Sequence, residues 1–129
     1  GTPSEYVEAQ LDAGKDVILE IEWQGAMKVK EQIKDVVLIF ITPPNAAELK
    51  SRLVGRGTED MDTINARLSR AVEESVFMDK YDYLLINDKL DECIDELHNI
   101  IQSERSKVDR NAETISLIKE DLKVFSERG

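Results

Sequence analysis

Residues 16–25, Asp16-Val17-Ile18-Leu19-Glu20-Ile21-Glu22-Trp23-Gln24-Gly25, constrain the fold more than any other stretch. An apolar, β-branched run ends on two carboxylates, and a helix-compatible segment follows at once. That is the pattern of a strand buried on both faces, with acidic residues at its carboxyl end. Buried carboxylates are costly unless a cation or a ligand faces them. The carboxyl ends of strands are also where open α/β sheets bind ligands.

The next strand signal is Val36-Val37-Leu38-Ile39-Phe40-Ile41, a continuous apolar run. Between the two runs, Ala26, Met27, Val29 and Ile33 give residues 24–33 one apolar helical face, and Lys34-Asp35 turns the chain. Strand, helix, strand is a βαβ unit, so strands 16–22 and 36–41 are expected to be parallel. Tyr83-Leu84-Leu85-Ile86 contains a third short strand, read over 84–86, which ends at Asn87-Asp88.

Helix signals fill the rest. Residues 3–13 carry Tyr6, Val7 and Leu11 on one side and stop at Gly14, a natural residue for a helix end. Thr2, with Pro3 and Glu5, has the form of a helix cap, although its hydroxyl can equally face a ligand. Asn45 with Glu48 marks a helix start after Pro43-Pro44; that helix runs to Gly55-Arg56-Gly57. Thr58 precedes the acidic first turn of another helix, with Ile64, Leu68, Ala71, Ser75 and Met78 in register. Leu90, Cys93, Ile94, Leu97 and Ile101 predict the buried stripe of a helix over 89–104. Residues 105–111 continue it or bend. Ile115, Ile118, Leu122 and Phe125 define a narrow stripe on an appended helix, 112–126.

Two clusters can carry chemistry. Arg52 and Arg56 are four apart, flank a glycine-rich break and precede Arg67. Three guanidiniums there make an anion clamp beside a hinge, or a solvated helix face paired with Glu48, Glu59 or Asp60. Glu20 and Glu22, two residues apart, share one face of a strand. They suit a metal-bound water or the amino group of a purine ring, or else stand in solvent past the buried part. Asn87 either caps the following helix or hydrogen-bonds a base. His98 reads as surface, Cys93 as core, and Trp23 and Tyr81 as packing anchors.

The formal charge of −10 over 129 residues argues against a nucleic-acid partner. One cysteine allows no internal disulfide, no apolar run reaches membrane-spanning length, and the cytoplasm is the expected compartment. A chain that opens on Gly1-Thr2-Pro3 rather than on Met reads as the middle of a longer sequence.

Taken in order, several motifs resemble the guanylate kinase family. They are Gly1-Thr2, Leu19-Glu20-Ile21-Glu22-Trp23-Gln24-Gly25, Phe40-Ile41-Thr42-Pro43-Pro44, Arg52-Leu53-Val54-Gly55-Arg56-Gly57-Thr58-Glu59, Asn65-Ala66-Arg67-Leu68, Tyr81-Asp82-Tyr83 and Ile86-Asn87-Asp88. The resemblance runs from residue 1 to about 104. It implies an α/β fold with a P-loop NTPase-like parallel sheet and flanking helices. It also implies phosphoryl transfer from ATP to GMP with Mg²⁺. Carried over by position, Thr2, Glu22 and Gln24 would bind GMP. Glu20 would hold Mg²⁺ through water. Arg52, Arg56 and Arg67 would be the catalytic arginines, with Arg52, Arg56 and Asn87 on the ATP side. The implied division is 1–15 as a remnant of the GMP-binding subdomain, 16–104 as kinase core with a lid at about 52–72, and 105–129 as a helical extension.

The sequence also departs from the family. Its members carry a Gly-rich loop ending in Gly-Lys-Ser/Thr, whose N–H groups and lysine hold ATP phosphates. This chain has only Gly14-Lys15, followed by Asp16. The fold is therefore expected to be truncated, without the P-loop strand that the family places between strands 16–22 and 36–41. Three outcomes are open for that slot: the sheet closes up, a second copy fills it by oligomerisation or strand exchange, or a segment outside this chain does. The chain alone is expected to be inactive. The alternative reading is a guanylate-kinase-like module that binds proteins without catalysis.

Overall fold

The computed structural model describes residues 4–55, 57 and 60–128. They form two compact units, divided between Leu38 and Ile39.

The first unit holds helix α1 (Ser4–Asp12) and helix α2 (Trp23–Gln32). Gly14 ends α1 as expected. Its N–H donates to the Leu11 carbonyl at 3.0 Å, the Lys15 N–H donates to the Gln10 carbonyl at 3.1 Å, and Gly14 has a φ of +78°. This paired closure needs a left-handed residue, which glycine supplies without a Cβ penalty. Val7 and Ala26 are the buried apolar residues of this unit's helices.

The strand expected over 16–22 does not form: these residues make no sheet pairing. Ile18 is 73% exposed and Ile21 43%. The residue types favour extended backbone, but a strand exists only when its N–H and C=O groups find a ladder, and none is offered among the described residues. The βαβ unit expected from 16–22 and 36–41 is corrected accordingly.

The second unit holds the sheet. Among the described residues it has two parallel strands, β1 (Ile39–Thr42) and β2 (Tyr83–Ile86), in the register Ile39 to Tyr83 through Thr42 to Ile86. β1 begins not at Val36 but at Ile39, where its register with β2 begins. Helices α3 (Ala46–Gly55) and α4 (Met61–Ser75) connect the strands, with a 3₁₀ turn at Met78–Lys80. α5 (Leu90–Arg105), a second 3₁₀ turn (Val108–Asn111) and α6 (Ala112–Arg128) follow β2.

Helix boundaries have local causes. The Asn45 side chain accepts from the Glu48 N–H at 2.8 Å and caps α3. α4 is capped by Asp60, whose carboxylate accepts from the Thr63 N–H at 2.9 Å. That bond lowers the Asp60 pKa. Thr58, expected to precede this helix, lies outside the described residues.

α3 packs on α4, and α5 on β2. Leu53, Ile64, Leu85 and Cys93 are the buried apolar side chains on these elements. Tyr81 meets Phe40 edge to face, centroids 5.1 Å apart. The buried stripe of α5 differs from expectation. Leu90 and Ile94 are exposed, and the buried positions are Cys93 and Glu104. On α6, Ile118, Leu122 and Phe125 are exposed. No helix among the described residues is long and apolar enough to cross a membrane.

Candidate functional site

The carboxyl ends of β1 and β2 lie side by side. One further backbone bond continues the ladder, from the Asn87 N–H to the Thr42 carbonyl at 2.8 Å. Pro43 and Pro44 stop β1, the Asn45 cap starts α3, and α3 carries Arg52 in its last turn. The Arg52 side chain returns to the end of β2. One Nη donates to the Asn87 carbonyl at 2.7 Å and the other to the Asp88 carbonyl at 3.2 Å, while Nε donates to Glu48 Oε1 at 3.0 Å.

Two residues singled out from sequence, Arg52 and Asn87, are thus joined at the carboxyl edge of the sheet. The joint runs through the Asn87 backbone, not its amide. Asn87 is also not the helix cap: Lys89 holds that position on α5, without a side-chain cap bond. Among the described residues, three of the five guanidinium donors of Arg52 are used in this arrangement. Arg67 lies on α4, exposed, three residues beyond buried Ile64.

The acidic residues belong to the first unit. Glu20 is exposed in the segment 16–22, which joins no sheet among the described residues. Glu22 occupies the N-cap position of α2, where its carbonyl accepts from the Ala26 N–H at 2.9 Å. Gln24 is exposed in the first turn of that helix. Thr2 and Arg56 lie outside the described residues. His98 is exposed and Cys93 buried, as expected.

One polar centre was not anticipated. Glu104, only 7% exposed, accepts from the Tyr83 hydroxyl at 2.7 Å and from Arg110 Nε at 3.2 Å, and Lys107 Nζ lies 3.0 Å from it. The Tyr83 hydrogen bond is the largest cause that lowers the Glu104 pKa to about 2. The same carboxylate raises the pKa of the Tyr83 hydroxyl and of Lys107. The Asn111 amide donates to the carbonyls of Arg105 and Lys107 at 2.8 and 2.7 Å, which closes the corner between α5 and α6. The signal for Glu104 was its spacing, eleven after Cys93 and seven after Leu97, on the stripe read as apolar.

Parallel strands, helices that connect and follow them and an arginine fastened at their carboxyl edge define an open α/β protein with a polar rim where such sheets bind ligands. The family is narrower. The Guanylate kinase family model matches residues 1–104, and the chain belongs to that family. It is 48% identical over 124 residues to the guanylate kinase of Lactococcus lactis, covering 96% of this chain and 60% of that protein. The guanylate kinase of Lactiplantibacillus plantarum is 51% identical over 110 residues, 85% of this chain and 53% of that one. The crystal structure of guanylate kinase from Anaplasma phagocytophilum superposes with a TM-score of 0.70 at 35% identity, covering 84% of this chain and 51% of that chain. The chain therefore spans between half and three-fifths of these relatives.

Proposed function

We propose that the protein to which this chain belongs transfers the terminal phosphoryl group of ATP to GMP, giving ADP and GDP, in the cytoplasm. Family membership supports the reaction class, and the placement of Arg52 at the carboxyl edge of β1 and β2 is the observation that carries it to named residues. Phosphoryl transfer asks a protein mainly for positioning and for positive charge around the moving group.

Arg52, Arg56 and Arg67 supply that charge in this reading. Arg52 and Arg56 face ATP, with Asn87 beside its base. Thr2, Glu22 and Gln24 take GMP. The Glu22 carboxylate accepts from the guanine amino and ring N–H groups, one oxygen for each donor. We assign 1–15 to the GMP side, 16–104 to the core with its lid at about 52–72, and 105–129 to an extension.

Mg²⁺ bound with ATP would neutralise phosphate charge. Among the described residues no group of three or more His, Cys, Asp or Glu side chains could cage a metal. Mg²⁺ keeps most of its waters and is held by one or two carboxylates and substrate phosphates. The exposed Glu20 is the residue assigned to hold it, through water.

The test is a coupled ADP-release assay on the natural protein with ATP, Mg²⁺ and GMP. GMP-dependent release is expected; a protein inert with GMP sinks the proposal. The 129-residue chain alone, which contains no Gly-Lys-Ser/Thr loop, is expected to be inactive, and GMP-dependent ATP consumption by it would show that expectation wrong.

A further inference from the structure

We infer that Glu48 is a positioning residue for the nucleotide-side arginine, Arg52; this rests on the reading of Arg52 given under the proposed function. A guanidinium is planar, with its five N–H donors in a rigid fork. Once the direction of the Nε–H is set, the plane and heading of both Nη groups are set with it. In this protein Glu48 Oε1 accepts that Nε–H at 3.0 Å, and the Nη groups meet the Asn87 and Asp88 carbonyls at 2.7 and 3.2 Å. The carboxylate holds one side of the fork and the end of β2 holds the other.

Glu48 is itself firmly placed. Its backbone N–H is the donor to the Asn45 cap, so the side chain leaves from the first turn of α3 and reaches Arg52 one turn on. The two backbone acceptors come from residues 35 and 36 positions away in sequence. A local i, i+4 pair therefore sets the heading of a side chain that crosses to another element. The pair is partly exposed, with side chains 35% and 43% accessible, so it adds little to stability. Its work is orientation, which separates the two roles experimentally.

The test compares wild type, E48A and E48Q in the natural protein. Rates are measured with ATP and GMP varied separately, and Arg52 Nε–H exchange is followed by NMR. Losing a partly exposed ion-paired hydrogen bond of this kind is worth up to roughly a fivefold change. E48A is expected to raise KM for ATP or lower kcat by up to that factor, with KM for GMP and the melting temperature nearly unchanged. It is also expected to speed Nε–H exchange. E48Q keeps an acceptor at Oε1 and should recover most of both effects. An E48A protein with unchanged Nε–H exchange, or one in which only the melting temperature moves, overturns the inference. A wild type inert with GMP overturns the kinase reading instead; Nε–H exchange in the three proteins then decides the positioning role alone.

Discussion

The Tyr83 hydroxyl donates to the Glu104 carboxylate across 2.7 Å and ties the first residue of β2 to the penultimate residue of α5. Glu104 is the buried charged residue of the described chain, and Lys107 and Arg110 complete its shell. A buried carboxylate with several donors is stabilised as the anion. Its pKa is lowered from the ordinary 4.5 to about 2. A depressed folded-state value contributes stability that is fully present above 4.5 and lost as pH falls toward 2. Thermal unfolding should therefore show wild type more stable than E104Q at neutral pH, with the gap closing between pH 4.5 and about 2. A gap independent of pH would contradict this. Tyr83→Phe removes the largest of the lowering causes, so the Glu104 pKa should rise in a carboxyl NMR titration.

Gly14 offers a separate test of backbone conformation. Its φ is +78°, and a Cβ added there would meet nothing within 4 Å. Any penalty for Gly14→Ala is then conformational, not steric. The expected loss is about 1–2 kcal/mol in urea unfolding, and Gly14→Asn should lose less. Equal losses would point to another cause.

Neighbours on β2 should respond in opposite ways. Leu85 is 3% exposed and Leu84 55%. Leu85→Ala removes buried methyl groups and leaves a cavity, at a cost of about 2–5 kcal/mol. Leu84→Ala should cost about 0.5 kcal/mol or less. Similar values for the two would mean that the face carrying Leu84 is covered in solution.

Kinetics of the natural protein test the proposed roles. Arg56→Ala and Arg67→Ala should lower kcat by roughly 10²–10³ while KM for GMP changes little, because charge on the moving group is met mainly in the transition state. Glu22→Ala should raise KM for GMP by about 10-fold or more, the loss of hydrogen bonds to a charged acceptor. A normal kcat in Arg67→Ala would remove that residue from the reaction.

Much of this protein is set by its sequence within a few residues' reach. The Asn45 cap, the Gly14 closure, the break at Gly55 and Gly57, and the helices that became α1 to α6 all depend on contacts three to five positions apart. The motif series from Leu19-Glu20 to Asn87-Asp88 was legible in the same way, and it marks the family. Tertiary structure decided what depends on distant partners. Residues 16–22 have the composition of a strand but no ladder among the described residues, whereas Ile39–Thr42 found Tyr83–Ile86 over forty positions away. Glu104 sits on a stripe that spacing alone reads as apolar; only Tyr83, Lys107 and Arg110 make its burial tolerable. Arg52 was visible as a cation, but its hold on the Asn87 and Asp88 carbonyls exists because two parallel strands end together. Local spacing encodes helices and their ends, since those bonds close within the segment. Strand pairing, buried charge and the heading of Arg52 require acceptors that only the folded chain brings near.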